Sequence, residues 1–179
     1  GMLRCAAVHG LIAPSEPMRA VLTAYGVRTP IHVVPTGLAA DRFRAGDGGA
    51  FRAAAGIAPA RPLVLYVGRV AHEKVADLIA ASDVVCQPSL IEPFGQAVLE
   101  ALASERPVVA TRIGGPAELV TPETGVLVDP GSVESIAAGL AAAAELPRPN
   151  PRARAIAEEH DVVRQAARVA RLLAGEAPE

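Results

Sequence analysis

The chain of 179 residues has no tryptophan, two tyrosines, three phenylalanines and two cysteines. Five scattered aromatic side chains are too few for the stacking surface on which proteins bind single-stranded nucleic acids. Cys5 and Cys86 are too few and too far apart in sequence for a disulfide framework or a zinc site. Cys86 lies in an apolar run, and we interpret it as a small core residue.

The sequence also lacks an excess of either charge and lacks long apolar runs. Its net charge of −2 gives no global reason to bind nucleic acid or an anionic membrane, so any anion site must be local. No apolar run reaches the roughly 20 residues of a membrane span, and no signal-peptide pattern is present. We therefore expect a cytoplasmic protein. Gly1-Met2 resembles the remnant of a purification tag before a start methionine.

Small apolar residues and arginine are what the sequence has in abundance. The chain is 51% hydrophobic with a mean hydropathy of +0.31, and much of the apolar content is alanine and valine. This composition predicts one globular domain over residues 1–179 with helices layered on a sheet. Lys74 is the only lysine. A GC-rich genome explains the preference for arginine over lysine, so the rarity of lysine is not by itself evidence that Lys74 is functional.

Short apolar runs alternate with helical patterns along the chain. The runs predict strands at residues 6–13, 31–35, 62–68, 83–87, 107–110 and 125–129. Helices are predicted at residues 16–25, 48–55, 74–81, 95–104 and 133–145. Because the strands are apolar throughout, they are expected to be covered on both faces. The pattern predicts an α/β fold, a doubly wound, Rossmann-like parallel sheet with helices on both faces.

The C-terminal part follows a proline-rich break at residues 147–151. Helical stretches are predicted from residue 152 to about residue 174, with an apolar stripe formed by Val162, Val163, Ala166, Val169, Ala170 and Leu173. We interpret the stripe as packing on the chain's own domain. A helix that binds a membrane surface or a partner is the alternative.

In open α/β sheets, ligands bind beyond the carboxyl ends of the strands. The loop after the predicted strand 62–68 carries Arg69 and Lys74, five residues apart, after Gly68, which permits a tight exit. A guanidinium that can grip phosphate oxygens at two points, next to an ammonium, suits a diphosphate. Taken alone, the pair is equally well explained as two solvated surface charges.

The loop over residues 88–96 combines Glu92, Pro93 and Gly95 ahead of a predicted helix that carries Glu100. The helix start favours anions and hydroxyl acceptors, and a carboxylate at Glu92 can accept bonds from sugar hydroxyls. Eight positions at 100° each place Glu92 and Glu100 on neighbouring helix faces. Taken singly, Glu92 is better explained as a partner of the helix dipole and Glu100 as part of a solvated helix face.

A third loop contains Gly114 and Gly115. Two glycines suit a backbone that passes close to a ligand, and an ordinary turn explains them equally well.

Several motifs in one order resemble the C-terminal domain of family 4 glycosyltransferases, which have the GT-B fold. The motifs are Ile12-Ala13-Pro14-Ser15, Val34-Pro35-Thr36-Gly37 with Phe43, Gly68-Arg69 with Glu73-Lys74, Pro88-Ser89, Glu92-Pro93-Phe94-Gly95, Glu100-Ala101, Pro107-Val108-Val109-Ala110, Gly114-Gly115 and Glu118. The similarity extends over most of the chain. It implies the donor-binding half of a retaining, nucleotide-sugar-dependent glycosyltransferase.

The resemblance implies a role for each matching residue. Arg69 and Lys74 would hold the donor diphosphate, Glu92 the sugar and Glu100 the ribose hydroxyls. Backbone contacts with the donor would come from Phe94, Gly95 and Gln96. No metal or other cofactor is implied, because the two cations would stabilise the leaving phosphate. The donor would be a UDP-, GDP- or ADP-linked sugar. A glycosidase-type carboxylate pair and a flavodoxin-like nucleotide domain are weaker alternatives.

Departures from the family pattern qualify this picture. The acceptor-binding domain is expected to be absent, so the chain alone should not turn over. Two strands that normally follow the Glu-Lys loop are missing, which shortens the family's strand order 3-2-1-4-5-6 to 1-4-5-6. The strand near residues 63–66 would then lie at an exposed sheet edge and invite a homodimer. An inactive remnant that oligomerises through this edge is the alternative function. Glu105 stands where the family favours glycine, which costs roughly 1 kcal/mol.

Overall fold

A computed structural model describes residues 9–66 and 72–176. The strands are β1 Leu11–Ala13, β2 Ile31–Val33, β3 Val64–Tyr66, β4 Val84–Gln87, β5 Val108–Thr111 and β6 Gly125–Val128. The helices are α1 Glu16–Ala24, α2 Asp41–Arg44, α3 Gly48–Ala54, α4 Val75–Ala81, α5 Gln96–Ala103, α6 Pro116–Leu119, α7 Val133–Ala144, α8 Pro151–Glu159 and α9 Val162–Leu173. A 3-10 turn, His72–Lys74, precedes α4.

The main sheet is parallel and has four strands in the order β3-β4-β5-β6. Alternate residues of β4 and β5 point to opposite faces: Val85 and Val108 pack in a core with α5 and α8, whereas Val84 and Val109 pack beneath α7. Both faces of β4 and β5 are therefore covered, which explains their continuous apolar runs and confirms the doubly wound α/β fold. Cys86 lies in the second core, and burial raises the pKa of its thiol above the usual range.

The shortened sheet edge is confirmed. Among the described strands, β3 pairs with β4 alone, and the 3-10 turn plus α4 forms the short crossover between them. The side chains of Val64 and Tyr66 are 48% and 70% exposed. Within the described ranges β3 therefore ends the four-stranded sheet, and it carries two exposed apolar side chains there.

The first two strands depart from the expectation of one sheet. β1 and β2 form a separate two-stranded parallel sheet, connected through α1. Beyond β2, Leu38 does not enter the main sheet but pairs with Asp161, at the junction of α8 and α9. Gly37 lies so close to Val162 that an added Cβ would be 2.5 Å from its Cα atom. After this contact the chain passes through α2 and α3 before it reaches β3.

The C-terminal helices also differ from the expectation in part. α8 packs into the core through Ala153, Ile156 and Ala157. In α9, by contrast, Gln165 is the buried residue, and Val163 and Leu173 of the apolar stripe are 72% and 83% exposed. The prediction that the stripe packs on its own domain is wrong, because five of its six side chains are exposed and Val169 is half-buried. Among the described residues no helix is both long enough and apolar enough to span a membrane.

Candidate functional site

Two loops leave the sheet side by side at the carboxyl ends of its central strands. β4 ends at Gln87 and β5 at Thr111, and Gln87 pairs in register with Ala110. The loop after β4 leads into α5, and the loop after β5 leads into α6. This edge is where ligands bind in open parallel sheets. It holds six of the residues singled out in the sequence: Glu92, Phe94, Gly95, Gln96, Gly114 and Gly115.

The carboxylate of Glu92 is folded over the start of α5. Its Oε1 accepts hydrogen bonds from the backbone N–H of Gly95 at 2.9 Å and of Phe94 at 3.3 Å. Its Oε2 accepts one from the side-chain amide of Gln87 at 2.7 Å. The residue therefore does serve the helix N-terminus. A carboxylate has about four acceptor positions, so capacity remains for a further donor such as a sugar hydroxyl.

The position of Glu92 cannot be obtained from a helical wheel. α5 begins at Gln96, with Gly95 as its N-cap in the left-handed region at φ 98°. Glu92 precedes this turn, so the 100° spacing does not relate it to Glu100. Inside the helix, Gln96 and Glu100 are one turn apart and share a face. Glu100 is only 8% exposed, which excludes the solvated helix face as its explanation.

Gly114 and Gly115 bring their loop into backbone contact with the Glu92 loop. The N–H of Gly115 donates to the carbonyl of Glu92 at 3.0 Å. A Cβ atom at Gly114 would lie 2.0 Å from that carbonyl oxygen, and one at Gly115 would lie 2.2 Å from the oxygen of Phe94. Only glycine permits this approach. The two loops therefore form one rigid unit on which Glu92 is held.

The predicted cations are placed differently. Gly68 and Arg69 lie outside the described residues. Lys74 ends the 3-10 turn at the N-terminus of α4, where its side chain is exposed. β3 ends beside β4, so the connection that leads to Lys74 starts from the same sheet edge as the Glu92 loop. None of the hydrogen bonds given by the described residues joins Lys74 to that loop.

Three polar residues that sequence reasoning did not assign to the site also hold this edge. The hydroxyl of Ser15, the N-cap of α1, donates to the carbonyl of Pro93 at 2.5 Å. Thr111 donates to the carbonyl of Ser89 at 2.6 Å, and Glu118 accepts from the N–H of Glu16 at 3.0 Å. Thr111 and Gln87 could have been found from the sequence, because each is a polar residue at the end of an otherwise apolar strand.

Two amide oxygens near the site have no hydrogen-bond partner. Within the described ranges, the Oε1 atoms of Gln87 and Gln96 are buried and unsatisfied. A buried polar atom without a partner lowers the stability of the fold by about 1–3 kcal/mol. Such an atom calls for an explanation, and a role in function is one. No group of three or more His, Cys, Asp or Glu side chains in residues 9–66 and 72–176 is arranged to hold a metal ion.

Comparison with known proteins identifies the family. A family model described as "Glycosyl transferases group 1" matches residues 46–162. A GDP-mannose-dependent alpha-mannosyltransferase of Mycobacterium tuberculosis is 32% identical over 126 residues, which cover 70% of this chain and 30% of the relative. An uncharacterized glycosyltransferase of Methanocaldococcus jannaschii is 40% identical over 81 residues, 45% of this chain and 21% of the relative.

Solved structures share the fold. Sucrose-phosphate synthase from Thermosynechococcus elongatus superposes with a TM-score of 0.79 at 21% identity over 93% of this chain and 58% of that one. Anabaena HepE in complex with UDP-glucose gives 0.77 at 22% identity over 94% of this chain and 64% of that one. The chain thus spans less than two thirds of the relatives and structures named here.

Proposed function

Since the chain belongs to the group 1 glycosyl transferases, we propose that it is the donor-binding part of a retaining glycosyltransferase. It binds a nucleoside-diphosphate sugar, from which a hexosyl group is transferred to an acceptor. The observation that carries this proposal is the Glu92 carboxylate, held over the start of α5 at the carboxyl edge of the sheet by three hydrogen bonds. That carboxylate has room for a sugar hydroxyl.

Each part of the donor has a proposed partner. Glu92 and the backbone of residues 94–96 bind the sugar, beside the loop of Gly114 and Gly115. Glu100 binds the ribose hydroxyls. Arg69 and Lys74 bind the diphosphate and stabilise the negative charge that develops on it as the glycosidic bond breaks. This assignment requires no metal ion.

The nucleotide is a uridine, guanosine or adenosine diphosphate. HepE was solved with UDP-glucose, and the mycobacterial relative is named as GDP-mannose-dependent, so two of the three nucleotides occur among the similar proteins. We place the reaction in the cytoplasm. The chain spans 30% of the mycobacterial relative's length, and we expect it by itself to bind donor without transferring sugar.

Thermal unfolding with UDP, GDP and ADP tests the proposal. At a ligand concentration near 100 times Kd, the cognate diphosphate should raise Tm by about 5–10 °C. Arg69→Ala and Glu100→Gln should abolish the shift, since they remove a phosphate contact and a ribose contact. Arg164→Ala and Glu159→Ala change exposed residues on α9 and α8 and should leave the shift intact. Absence of a shift with all three diphosphates at millimolar concentration would contradict the proposal.

A second function is favoured by the open edge of β3. The exposed side chains of Val64 and Tyr66, next to backbone groups that no described strand pairs, suit strand addition from a second copy. Under this alternative the protein is an oligomerising module without donor binding. Light scattering after gel filtration distinguishes the two: a dimer that Val64→Lys dissociates, with no response to any diphosphate, favours the module.

A further inference from the structure

Gln87 connects the sheet to the side chain on which the proposed sugar site depends. It is the last residue of β4, after Val84, Val85 and Cys86, and it is the one polar side chain of that strand. Its Nε2 donates to Oε2 of Glu92 at 2.7 Å, a distance typical of a hydrogen bond to a charged acceptor. The amide therefore points out of the strand end toward the Glu92 loop.

The orientation of this amide is dictated by the carboxylate. If the group were rotated by half a turn, the carbonyl oxygen of Gln87 would face a carboxylate oxygen and no hydrogen bond could form. The orientation that satisfies Glu92 leaves Oε1 of Gln87 buried without a partner among the described residues. Gln87 thus makes its bond to Glu92 while its own amide oxygen stays unsatisfied.

The bond to Gln87 fixes a degree of freedom that the other contacts leave open. The N–H groups of Phe94 and Gly95 both bind Oε1, so on their own they would let the carboxylate rotate about that oxygen. Gln87 binds the other oxygen, Oε2. Holding both oxygens sets the plane of the carboxylate and thereby the direction from which a hydroxyl can donate to it.

We propose that Gln87 is the positioning residue that orients Glu92 toward the sugar of the donor. The inference rests on the proposed function. It predicts that Gln87 governs the sugar increment, defined as the ratio of the Kd of a nucleoside diphosphate to the Kd of the corresponding nucleotide sugar. Affinity for the diphosphate itself does not depend on Gln87, because the groups proposed to bind it lie elsewhere.

Two variants of similar size separate this role from a structural one. Gln87→Met removes the bond to Glu92 and the buried unsatisfied oxygen together, and since the loss and the gain offset each other the Tm should change little. Gln87→Glu replaces the donor with a second carboxylate facing Glu92. Isothermal titration with UDP and UDP-glucose, GDP and GDP-mannose, and ADP and ADP-glucose gives the sugar increment for each chain. Both variants should lower it about tenfold, the factor expected for one charge-assisted hydrogen bond.

A double-mutant cycle ties the effect to Glu92. In a Glu92→Ala background, Gln87→Met should no longer change the sugar increment, since the carboxylate to be oriented is gone. An unchanged increment in the single variant, or an equal loss of affinity for diphosphate and nucleotide sugar with a lower Tm, would overturn the inference while the proposed function stands. A wild-type chain that binds a diphosphate but gains nothing from the sugar would overturn it as well. A wild-type chain that binds no diphosphate would refute both.

Discussion

Glu105 is a single residue whose backbone works against the stability of the chain. It has φ 57°, in the left-handed region that disfavours residues with a Cβ atom. Two hydrogen bonds hold it there as α5 ends: its own N–H donates to Leu102 at 3.0 Å, and the N–H of Arg106 donates to Ala101 at 3.0 Å. These bonds form the Schellman arrangement, in which glycine is normally preferred.

Glu105→Gly should therefore stabilise the protein by about 0.5–1 kcal/mol, because glycine adopts the left-handed region without strain. Urea unfolding measures the change. Glu145→Gly is the matched control, since Glu145 follows α7 in a helical conformation at φ −84°. There the same replacement should lower the free energy of unfolding. A loss of stability at both positions would show that the strain at Glu105 is not relieved by glycine.

Gly114 tests whether the close approach between the two loops matters. Gly114 and Gly56 both have positive φ, at 80° and 67°, but only Gly114 has a backbone oxygen in the place of a Cβ. Gly114→Ala should destabilise the chain by at least about 1–3 kcal/mol more than Gly56→Ala, the range typical of overpacking. Denaturant unfolding gives the loss in free energy of unfolding for each variant, and the difference between the two losses is the cost of the clash with the Glu92 loop. Equal losses would mean that the Glu92 loop yields easily.

At the scale of elements, α1 is joined to the candidate site by its cap. Ser15 is fully buried and accepts a hydrogen bond from the N–H of Met18 while its hydroxyl donates to Pro93. At the same end of α1, the backbone N–H of Glu16 donates to the carboxylate of Glu118. The start of α1 is thereby attached to the Glu92 loop and to α6, the helix that follows the loop of Gly114 and Gly115.

Ser15→Ala should cost about 2 kcal/mol, the sum of an N-cap and of the long-range hydrogen bond to the carbonyl of Pro93. Ser132→Ala removes the N-cap of α7, whose hydroxyl makes no such long-range bond among the described contacts, and should cost about 1 kcal/mol. Thermal unfolding compares the two variants. If Ser15→Ala were no more harmful than Ser132→Ala, the bond to Pro93 would contribute nothing.

The spacing of apolar residues predicted most of the helices and strands, because that spacing follows which side of each element is buried. The strand predicted at residues 83–87 is β4 and the helix predicted at 95–104 is α5, each within one residue. The short helices α2 and α6, with four residues each, have too little periodicity to be found. The pairing of β1 with β2 and of Leu38 with Asp161 joins segments that are distant in sequence, which no local pattern reveals.

The candidate site was predictable as a list of residues but not as an arrangement. The order of motifs identified the Glu92 loop and the two glycines. That Gly114 and Gly115 press against the Glu92 loop follows from a contact between two different strand ends. That Gln87 donates to the carboxylate of Glu92 depends on how the loop after β4 folds back on its own strand. The roles assigned to all of these residues, and to Arg69, Lys74 and Glu100, remain predictions.

At the scale of the whole molecule, the carboxyl edge of one four-stranded sheet gathers the proposed donor site, and the open edge of β3 lies beside it. The donor site uses loops that are fixed by backbone contacts, so its shape should exist before ligand arrives. Donor binding is therefore expected to perturb few residues outside the two loops and α5.

The most direct test of the account is a titration of the ¹⁵N-labelled chain with UDP, GDP and ADP and their sugars, followed by NMR. One nucleotide series should shift the amide signals of Gly95, Gln96, Glu100, Gly114 and Gly115, and the sugar form should shift those of the Glu92 loop further. Shifts confined to other parts of the chain, or none with any nucleotide at millimolar concentration, would contradict the claim that this edge is a donor site.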